Sequence, residues 1–266
     1  MRRNAEASAV LPAPSPLLLA VAEPYLRRYA AKHFDSVRIA LDGPMPALDG
    51  PTVLYANHAS WWDPVVILLL IRRHYPDWRF HGPIDASALR RYPWLERLGL
   101  FGIEPESPRG AARFLDVAGA LLHAPQTGIA MTAQGRFADV RERPVTLKRG
   151  LAVLMGNRPD VRAIPLAIEY VFWNERLPEV LVRCGQSPVR AAGEPLERLQ
   201  ARLESGLEHE LDLLARDAVA RDPCRFERVI EGRQGVGWLE DLPLRMRALA
   251  RGRRFDAAHS AVERRH

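Results

Sequence analysis

Apolar positions along the chain follow two spacings, and these spacings predict the secondary structure. Short apolar runs bounded by polar or turn residues are typical of strands, and longer stretches with apolar residues every three or four positions favour helices. We predict strands at 36–41, 52–56, 78–81, 100–104, 127–132, 161–170 and 180–184, and helices at 63–73, 86–98, 109–123 and 148–155. Strands that alternate with helices indicate an α/β sheet flanked by helices on both faces.

Helical patterns also flank this region. Residues 17–33 predict an N-terminal amphipathic helix with a basic end, and residues 195–222 predict a C-terminal helix with a leucine stripe. Residues 1–14 are expected to be disordered. We therefore expect one domain at 15–222, with its core at 36–185, and a basic extension at 223–266 that ends in a loosely attached helix or tail.

Composition favours a folded protein with a sizeable core and gives little support for nucleic-acid binding. The chain has 266 residues, of which 47% are hydrophobic, so it can bury a substantial core. Its net charge is +6, and 36 of its 38 basic residues are arginines, a bias that either codon usage or anionic partners explain. No nucleic-acid-binding motif accompanies this charge, so no nucleic-acid partner is expected.

The number of cysteines and the length of the apolar runs indicate the cellular compartment and the kind of membrane contact to expect. Cys184 and Cys224 are the only cysteines, which indicates neither a disulfide framework nor a metal spacing and fits a reducing cytoplasm. No apolar run approaches the roughly 18 residues needed to span a bilayer. Any contact with a membrane is thus expected from the surface. The helix at 17–33 either caps the core or lies at the membrane interface, with its arginines on anionic headgroups.

The most informative motif is Asn57-His58-Ala59-Ser60-Trp61-Trp62-Asp63-Pro64, which follows the strand at 52–56. At about 100° per residue, a five-residue offset leaves His58 and Asp63 about 140° apart on one helix. They can meet only if His58 lies in the turn and Asp63 opens the next helix. That arrangement would place a proton acceptor and an orienting carboxylate at the carboxyl end of a strand, where open α/β sheets build their sites.

A purely structural interpretation of the same residues stays open. Asp63 followed by Pro64 is also an ordinary helix start, with Asp at the N-cap and Pro at the first helical position. His58 would then be a turn histidine bonded to backbone.

Asn57-His58-x-Ser60-x-x-Asp63-Pro64 resembles the first block, NH-x4-D, of the glycerolipid acyltransferases, the family of 1-acyl-glycerol-3-phosphate acyltransferases. The resemblance implies that His58 takes a proton from a lipid hydroxyl as that hydroxyl attacks an acyl thioester, while Asp63 orients the imidazole. Asn57 and Ser60 are implied as substrate-binding residues.

The later blocks follow in the family's order, with departures. Gly99-Leu100-Phe101-Gly102-Ile103-Glu104-Pro105 stands at the second block, where the resemblance implies a phosphate-binding arginine in place of Pro105. Arg109 either replaces that arginine or is a solvated first-turn residue. Pro105 leaves this block without the residue that would bind the phosphate of a phosphate-bearing acceptor.

The third block, usually Phe-Pro-Glu-Gly-Thr-Arg, is here Thr132-Ala133-Gln134-Gly135-Arg136-Phe137. Gln134 replaces the glutamate, Gly135 is kept, and Phe137 takes the arginine's place, one position after Arg136. The resemblance implies that Gln134, Gly135 and Arg136 contact substrate. Lys148 and Arg149, in a basic segment that opens a helix, are either phosphate ligands or surface charge.

The resemblance covers about residues 36–185 and implies a membrane-associated O-acyltransferase. Its partners would be a lipid acceptor, an acyl donor (acyl-CoA or acyl-carrier protein) and the cytoplasmic face of a membrane. No cofactor other than this co-substrate is implied, and the histidines lack metal-ligand spacing. Two alternatives stay open: acylation of a non-phosphate lipid such as a glycolipid, an amino-acid lipid or a carotenoid glycoside, and a non-catalytic lipid-binding protein.

Overall fold

The computed structural model describes residues 11–188, 190–191 and 193–232. The described chain forms helices and strands in an alternating order. The helices are α1 (Pro16–His33), α2 (Asp63–His74), α3 (Ala86–Arg91), α4 (Pro108–Leu121), α5 (Gly150–Asn157) and α6 (Leu196–Ala220). The strands are β1 (Ser36–Ala40), β2 (Thr52–Ala56), β3 (Arg79–Asp85), β4 (Leu100–Ile103), β5 (Thr127–Thr132), β6 (Arg162–Val171), β7 (Glu179–Cys184) and β8 (Phe226–Glu231).

The strands join one eight-stranded sheet in the order β4-β3-β5-β2-β6-β7-β1-β8. The first five strands in this order run parallel. β7 is antiparallel to β6, β1 is parallel to β7, and β8 is antiparallel to β1. The carboxyl ends of β2, β5 and β6 therefore meet at one edge of the sheet, which is where parallel sheets carry their sites. The α/β class with flanking helices, predicted from the apolar spacing, is confirmed.

Two apolar cores cover the two faces of the sheet. The strand β2 is buried on both sides, with Leu54 and Ala56 in one core and Val53 and Tyr55 in the other. The first core includes apolar residues of α1 and α2, and the second includes those of α4, α5 and α6. The leucine stripe predicted at 195–222 supplies the α6 side of the second core. The central strands are thus held rigidly between helical layers.

One predicted helix is interrupted. Residues 86–98 form α3 and then a 3-10 helix at Pro93–Leu98, with Tyr92 between them in a non-helical conformation. A proline disfavours helical geometry at the residue before it, which is why the helix ends there. The apolar spacing across residues 86–98 did not predict this break.

The sheet extends beyond its predicted members. Phe226–Glu231 forms β8, which pairs with β1, although the sequence analysis predicts no strand there and assigns these residues to the C-terminal extension. The predicted basic tail at 245–266 lies outside the described residues, as do positions 1–10 of the predicted disordered segment. Among the helices that the structure does describe, none is long and apolar enough to cross a bilayer.

Candidate active site

The structure brings His58 and Asp63 together across the turn between β2 and α2. His58 Nδ1 lies 2.8 Å from Asp63 Oδ2. The N-cap residue of α2 is Trp62, with no side-chain cap bond, and the Asp63 side chain accepts from Ser60 N rather than from a helical amide. The interpretation of Asp63 as an ordinary helix cap and of His58 as a backbone-bonded turn residue is therefore wrong.

Asp63 is fully buried and accepts three hydrogen bonds. Its Oδ2 takes the His58 Nδ1 contact and a 2.9 Å bond from Ser60 N, while Tyr170 donates its hydroxyl to Oδ1 at 2.6 Å. Burial and the neighbouring Asp63 carboxyl raise the pKa of Tyr170 well above its ordinary value, so that hydroxyl remains a donor. Tyr170 extends the pair into a line of three side chains.

The Asp63 oxygen at Nδ1 determines which ring nitrogen of His58 carries the proton. A carboxylate oxygen only accepts, so Nδ1 carries the proton in the neutral ring and Nε2 keeps its lone pair. Among the described residues no hydrogen bond reaches Nε2, and the His58 side chain retains 18% of its surface exposed. The arrangement leaves one ring nitrogen able to accept a proton from a bound hydroxyl.

Three neighbours hold the backbone around His58. Gln134 Oε1 accepts from His58 N at 2.8 Å, and Ala138 N donates to His58 O at 2.9 Å. Asn57 donates Nδ2 to Ile168 O at 2.9 Å and accepts Ile168 N at 2.8 Å, which ties the end of β2 to β6. Gln134 and Asn57 are both buried, so their contacts position the turn.

Ser60, the remaining predicted residue of the turn, also makes local bonds. Its amide donates to Asp63 and its hydroxyl accepts from Trp62 N at 3.2 Å. These bonds shape the turn that presents His58. A contact of Ser60 with substrate stays a prediction.

The structure pairs each basic candidate of the third block and the following segment with a carboxylate. Arg136 pairs with Glu142, Lys148 with Glu106, and Arg149 with Glu197 at 3.0 Å. Gly135 has φ +66°, and a Cβ there would lie 2.8 Å from Lys148 Cγ, so a side chain at this position would strain the backbone and displace the lysine chain.

Arg109 lies in the first turn of α4. It lines a surface cleft of about 540 Å³ with Arg90, Arg113, Glu96 and Glu104. The lining comes from α3, the 3-10 helix and the β4–α4 region, and includes no residue of the His58 turn or of 133–138. Among the described residues no hydrogen bond or ion pair joins Arg109 to His58, and the substrate-binding role of Arg109 stays a prediction.

Two residues at the site were not predicted as functional. Tyr170 is the penultimate residue of β6 and bonds to Asp63, and the Phe137 ring packs on the His58 ring at a tilt, with centroids 4.1 Å apart. The position of Tyr170 at the end of a predicted strand was the available signal for it. For Phe137, the available signal was its position, where the resembled acyltransferase block carries an arginine.

In the described ranges, no three His, Cys, Asp or Glu side chains are grouped so that they could hold a metal ion.

These features define a mixed eight-stranded α/β fold with a histidine–aspartate pair at the carboxyl edge of its parallel strands. The same fold occurs in the crystal structure of the 1-acyl-sn-glycerophosphate (LPA) acyltransferase PlsC from Thermotoga maritima, with a TM-score of 0.53. The two sequences are 17% identical, over 74% of this chain and 80% of that chain. No protein-family model and no curated protein sequence matches the chain.

Proposed function

We propose that the protein is a lipid O-acyltransferase in which His58 is the general base. The observation that carries the proposal is the line Tyr170–Asp63–His58, which leaves Nε2 open at the functional edge of the sheet. The shared fold with an acyltransferase supports the same reaction class. A fatty acyl group would pass from acyl-CoA or acyl-carrier protein to a lipid hydroxyl.

The proposed reaction uses the free Nε2 of His58 as its base. Nε2 takes the proton of the acceptor hydroxyl while its oxygen bonds to the thioester carbonyl carbon. The tetrahedral adduct collapses, the carbon–sulfur bond breaks, and the imidazolium returns the proton to the departing thiolate. Asp63 holds the ring and stabilises its charged form, and no acyl group is attached to the protein.

A membrane surface is the proposed partner of α1. Leu17, Val21 and Tyr25 are exposed and follow a four-residue spacing, so they share one face of the helix, and exposed Arg28 and Lys32 continue that row. Apolar side chains followed by cations match a helix lying in a bilayer interface with anionic headgroups. We propose that this interface is the cytoplasmic face of the membrane.

Aromatic contacts connect this face of α1 to the site. Tyr25 stacks on Tyr29, Tyr29 lies 5.1 Å from Trp62, and Trp62 contacts exposed Trp61. Trp61 and Trp62 belong to the turn that presents His58. The membrane-facing helix would therefore place the turn close to lipid, so that a lipid hydroxyl reaches His58 without leaving the interface.

The test is acyl transfer by the purified protein, using labelled acyl-CoA or acyl-carrier protein and a panel of monoacyl lipids and glycolipids. Lipid mass spectrometry identifies the product, and His58→Ala is the matched variant. The proposal predicts an acylated lipid with wild type and its loss in the variant. Lipid binding with no product from any acceptor would favour a non-catalytic lipid-binding protein instead.

A further inference from the structure

Phe137 covers one face of the proposed catalytic imidazole. The two rings lie 4.1 Å apart between centroids at an angle of 30°. The opposite side of Phe137 is open, since 61% of its surface is exposed. A substrate hydroxyl that reaches His58 must therefore pass beside an apolar ring.

Hydrogen bonds to the His58 backbone, from residues on both sides of Phe137, keep Phe137 in this position. Ala138 N donates to His58 O, and Gln134 Oε1 accepts from His58 N. Gly135, between them, turns the chain with its positive φ. Residues 134–138 thus fold back over the His58 turn, and the side chain of Phe137 is directed onto the imidazole while that of Arg136 is directed to Glu142.

The basic side chains of the third block and of the segment after it do not favour a phosphate. Arg136, Lys148 and Arg149 each face a carboxylate, from Glu142, Glu106 and Glu197. Exposed ion pairs are weak, so a phosphate could displace one of them. The displaced carboxylate would nevertheless remain close and would repel the phosphate, and the phosphate would lose hydration against the Phe137 ring.

We propose that Phe137 is a specificity-determining residue that selects lipid acceptors with no phosphate next to the reacting hydroxyl. This inference rests on the acyltransferase function proposed above. The preferred acceptor is a neutral amphiphile, such as a monoacylglycerol or a glycolipid, whose uncharged headgroup packs on the exposed side of Phe137. The acyl donor is the same thioester.

The cleft around Arg109 provides the competing account. Its arginines, Arg90, Arg109 and Arg113, could bind an acceptor phosphate, but the cleft is lined by residues between 86 and 113 and shares none with the Phe137 loop. If a phosphate-bearing acceptor binds in this cleft, the preference of the enzyme for that acceptor depends on Arg109 and not on residue 137. The two accounts therefore predict different effects of single substitutions.

The experiment compares two acceptors that differ only in the phosphate. Monoacylglycerol and lysophosphatidic acid with the same acyl chain are offered in neutral detergent micelles with saturating acyl-CoA. We expect kcat/KM of the wild type to favour monoacylglycerol by at least about tenfold. Phe137→Arg, which places a cation on this face of His58, should shift the ratio toward lysophosphatidic acid by about tenfold or more, whereas the matched control Phe137→Leu should retain the neutral preference.

Each contrary result has a distinct meaning. A wild type that prefers lysophosphatidic acid, or a ratio that is equal in Phe137→Arg and Phe137→Leu, overturns the role of Phe137. A lysophosphatidic acid preference that Arg109→Ala abolishes assigns acceptor selection to the cleft and overturns it as well. If no acceptor in the full panel is acylated, the acyltransferase proposal itself fails, and this inference fails with it.

Discussion

At the scale of single residues, the side chain that connects the site is Asp63. It is fully buried, and its three hydrogen bonds come from the His58 ring, the Ser60 amide and the Tyr170 hydroxyl. A buried carboxylate with several donors is held in one rotamer, and it therefore fixes the orientation of the imidazole. Asn57 and Gln134 act on the same imidazole through the backbone.

Tyr170→Phe tests whether this line matters for the rate. Hydrogen bonds to charged groups contribute about 1.5–3 kcal/mol, so loss of the Tyr170 donor should loosen Asp63 and lower kcat by about tenfold. KM for donor and acceptor should stay within about twofold, because Tyr170 acts through Asp63 and not on substrate.

The matched control is Tyr92→Phe, which also removes a tyrosine hydroxyl. Tyr92 is exposed and lies far along the chain from the His58 turn. It should leave kcat unaltered. An unchanged kcat in Tyr170→Phe, with a melting temperature equal to that of wild type, would refute the positioning role of Tyr170.

The sequence predicted part of the site because two of its residues are close in the chain. His58 and Asp63 lie on either side of one turn, so their meeting followed from helix geometry. Tyr170 is 107 positions away from Asp63, and its contact depends on the pairing of β2 with β6, which a single sequence does not specify. The pairing of Arg136 with Glu142 was likewise not predictable, since an exposed arginine has several carboxylates within reach.

At the scale of elements, α1 carries the proposed contact with the membrane. Its exposed apolar residues lie on one face, while Leu26 and Ala30 pack into the core beside α2. The two alternatives for this helix, a cap on the core and an interfacial helix, therefore describe its two faces. The inward face is shown by the structure, and the outward role is a proposal.

Leu17→Asp combined with Val21→Asp tests the outward face. Burial of each apolar side chain is worth about 1.5–3 kcal/mol, so the double variant should bind anionic vesicles at least tenfold more weakly in cosedimentation. The fold should be unaffected because both side chains are exposed.

Val219→Asp supplies the control, since it adds a charge at an exposed apolar position of α6. It should bind vesicles as wild type does. Equal binding by all three proteins would show that α1 is not the membrane contact.

Element boundaries show where apolar spacing is informative and where it is not. The strands β2 and β5 were predicted at the positions where they occur, because central parallel strands are apolar on both faces. The edge strand β8 was not predicted, since half of its residues are polar and its pairing with β1 joins Ser36 to Glu231, 195 positions apart. The order of the strands is likewise a property of long-range packing.

At the scale of the whole molecule, a buried acid affects the pH dependence of stability. Asp35, between α1 and β1, is 1% exposed, and neither carboxyl oxygen has a hydrogen-bond partner in the described part of the chain. Burial and the nearby Glu179 raise the pKa of Asp35 to about 6, although Arg228 at 4.0 Å opposes them. The native state therefore retains a proton on Asp35 over a pH range in which the unfolded chain has lost it.

The proton retained on Asp35 determines how stability changes with pH. Between about pH 4 and pH 6 the native state binds more protons than the unfolded state, so the contribution of Asp35 to stability falls as the pH rises. Asp35→Asn should remove this dependence and raise the free energy of unfolding at pH 8 by up to about 2–3 kcal/mol. Denaturant unfolding at pH 4 and pH 8 measures it.

Asp77→Asn, at an exposed position, is the control and should behave as wild type at both pH values. If Asp35→Asn lowered stability equally at pH 4 and pH 8, Asp35 would be a structural partner rather than a strained acid.

The most direct measurement of the central claim is the rate of acyl transfer from a thioester donor to a lipid hydroxyl in wild type and in His58→Ala. General-base catalysis is worth about 10²–10⁴-fold, so the variant should lose at least about a hundredfold in kcat while retaining its fold and its vesicle binding. A folded His58→Ala protein that forms the same product at the wild-type rate would contradict the account.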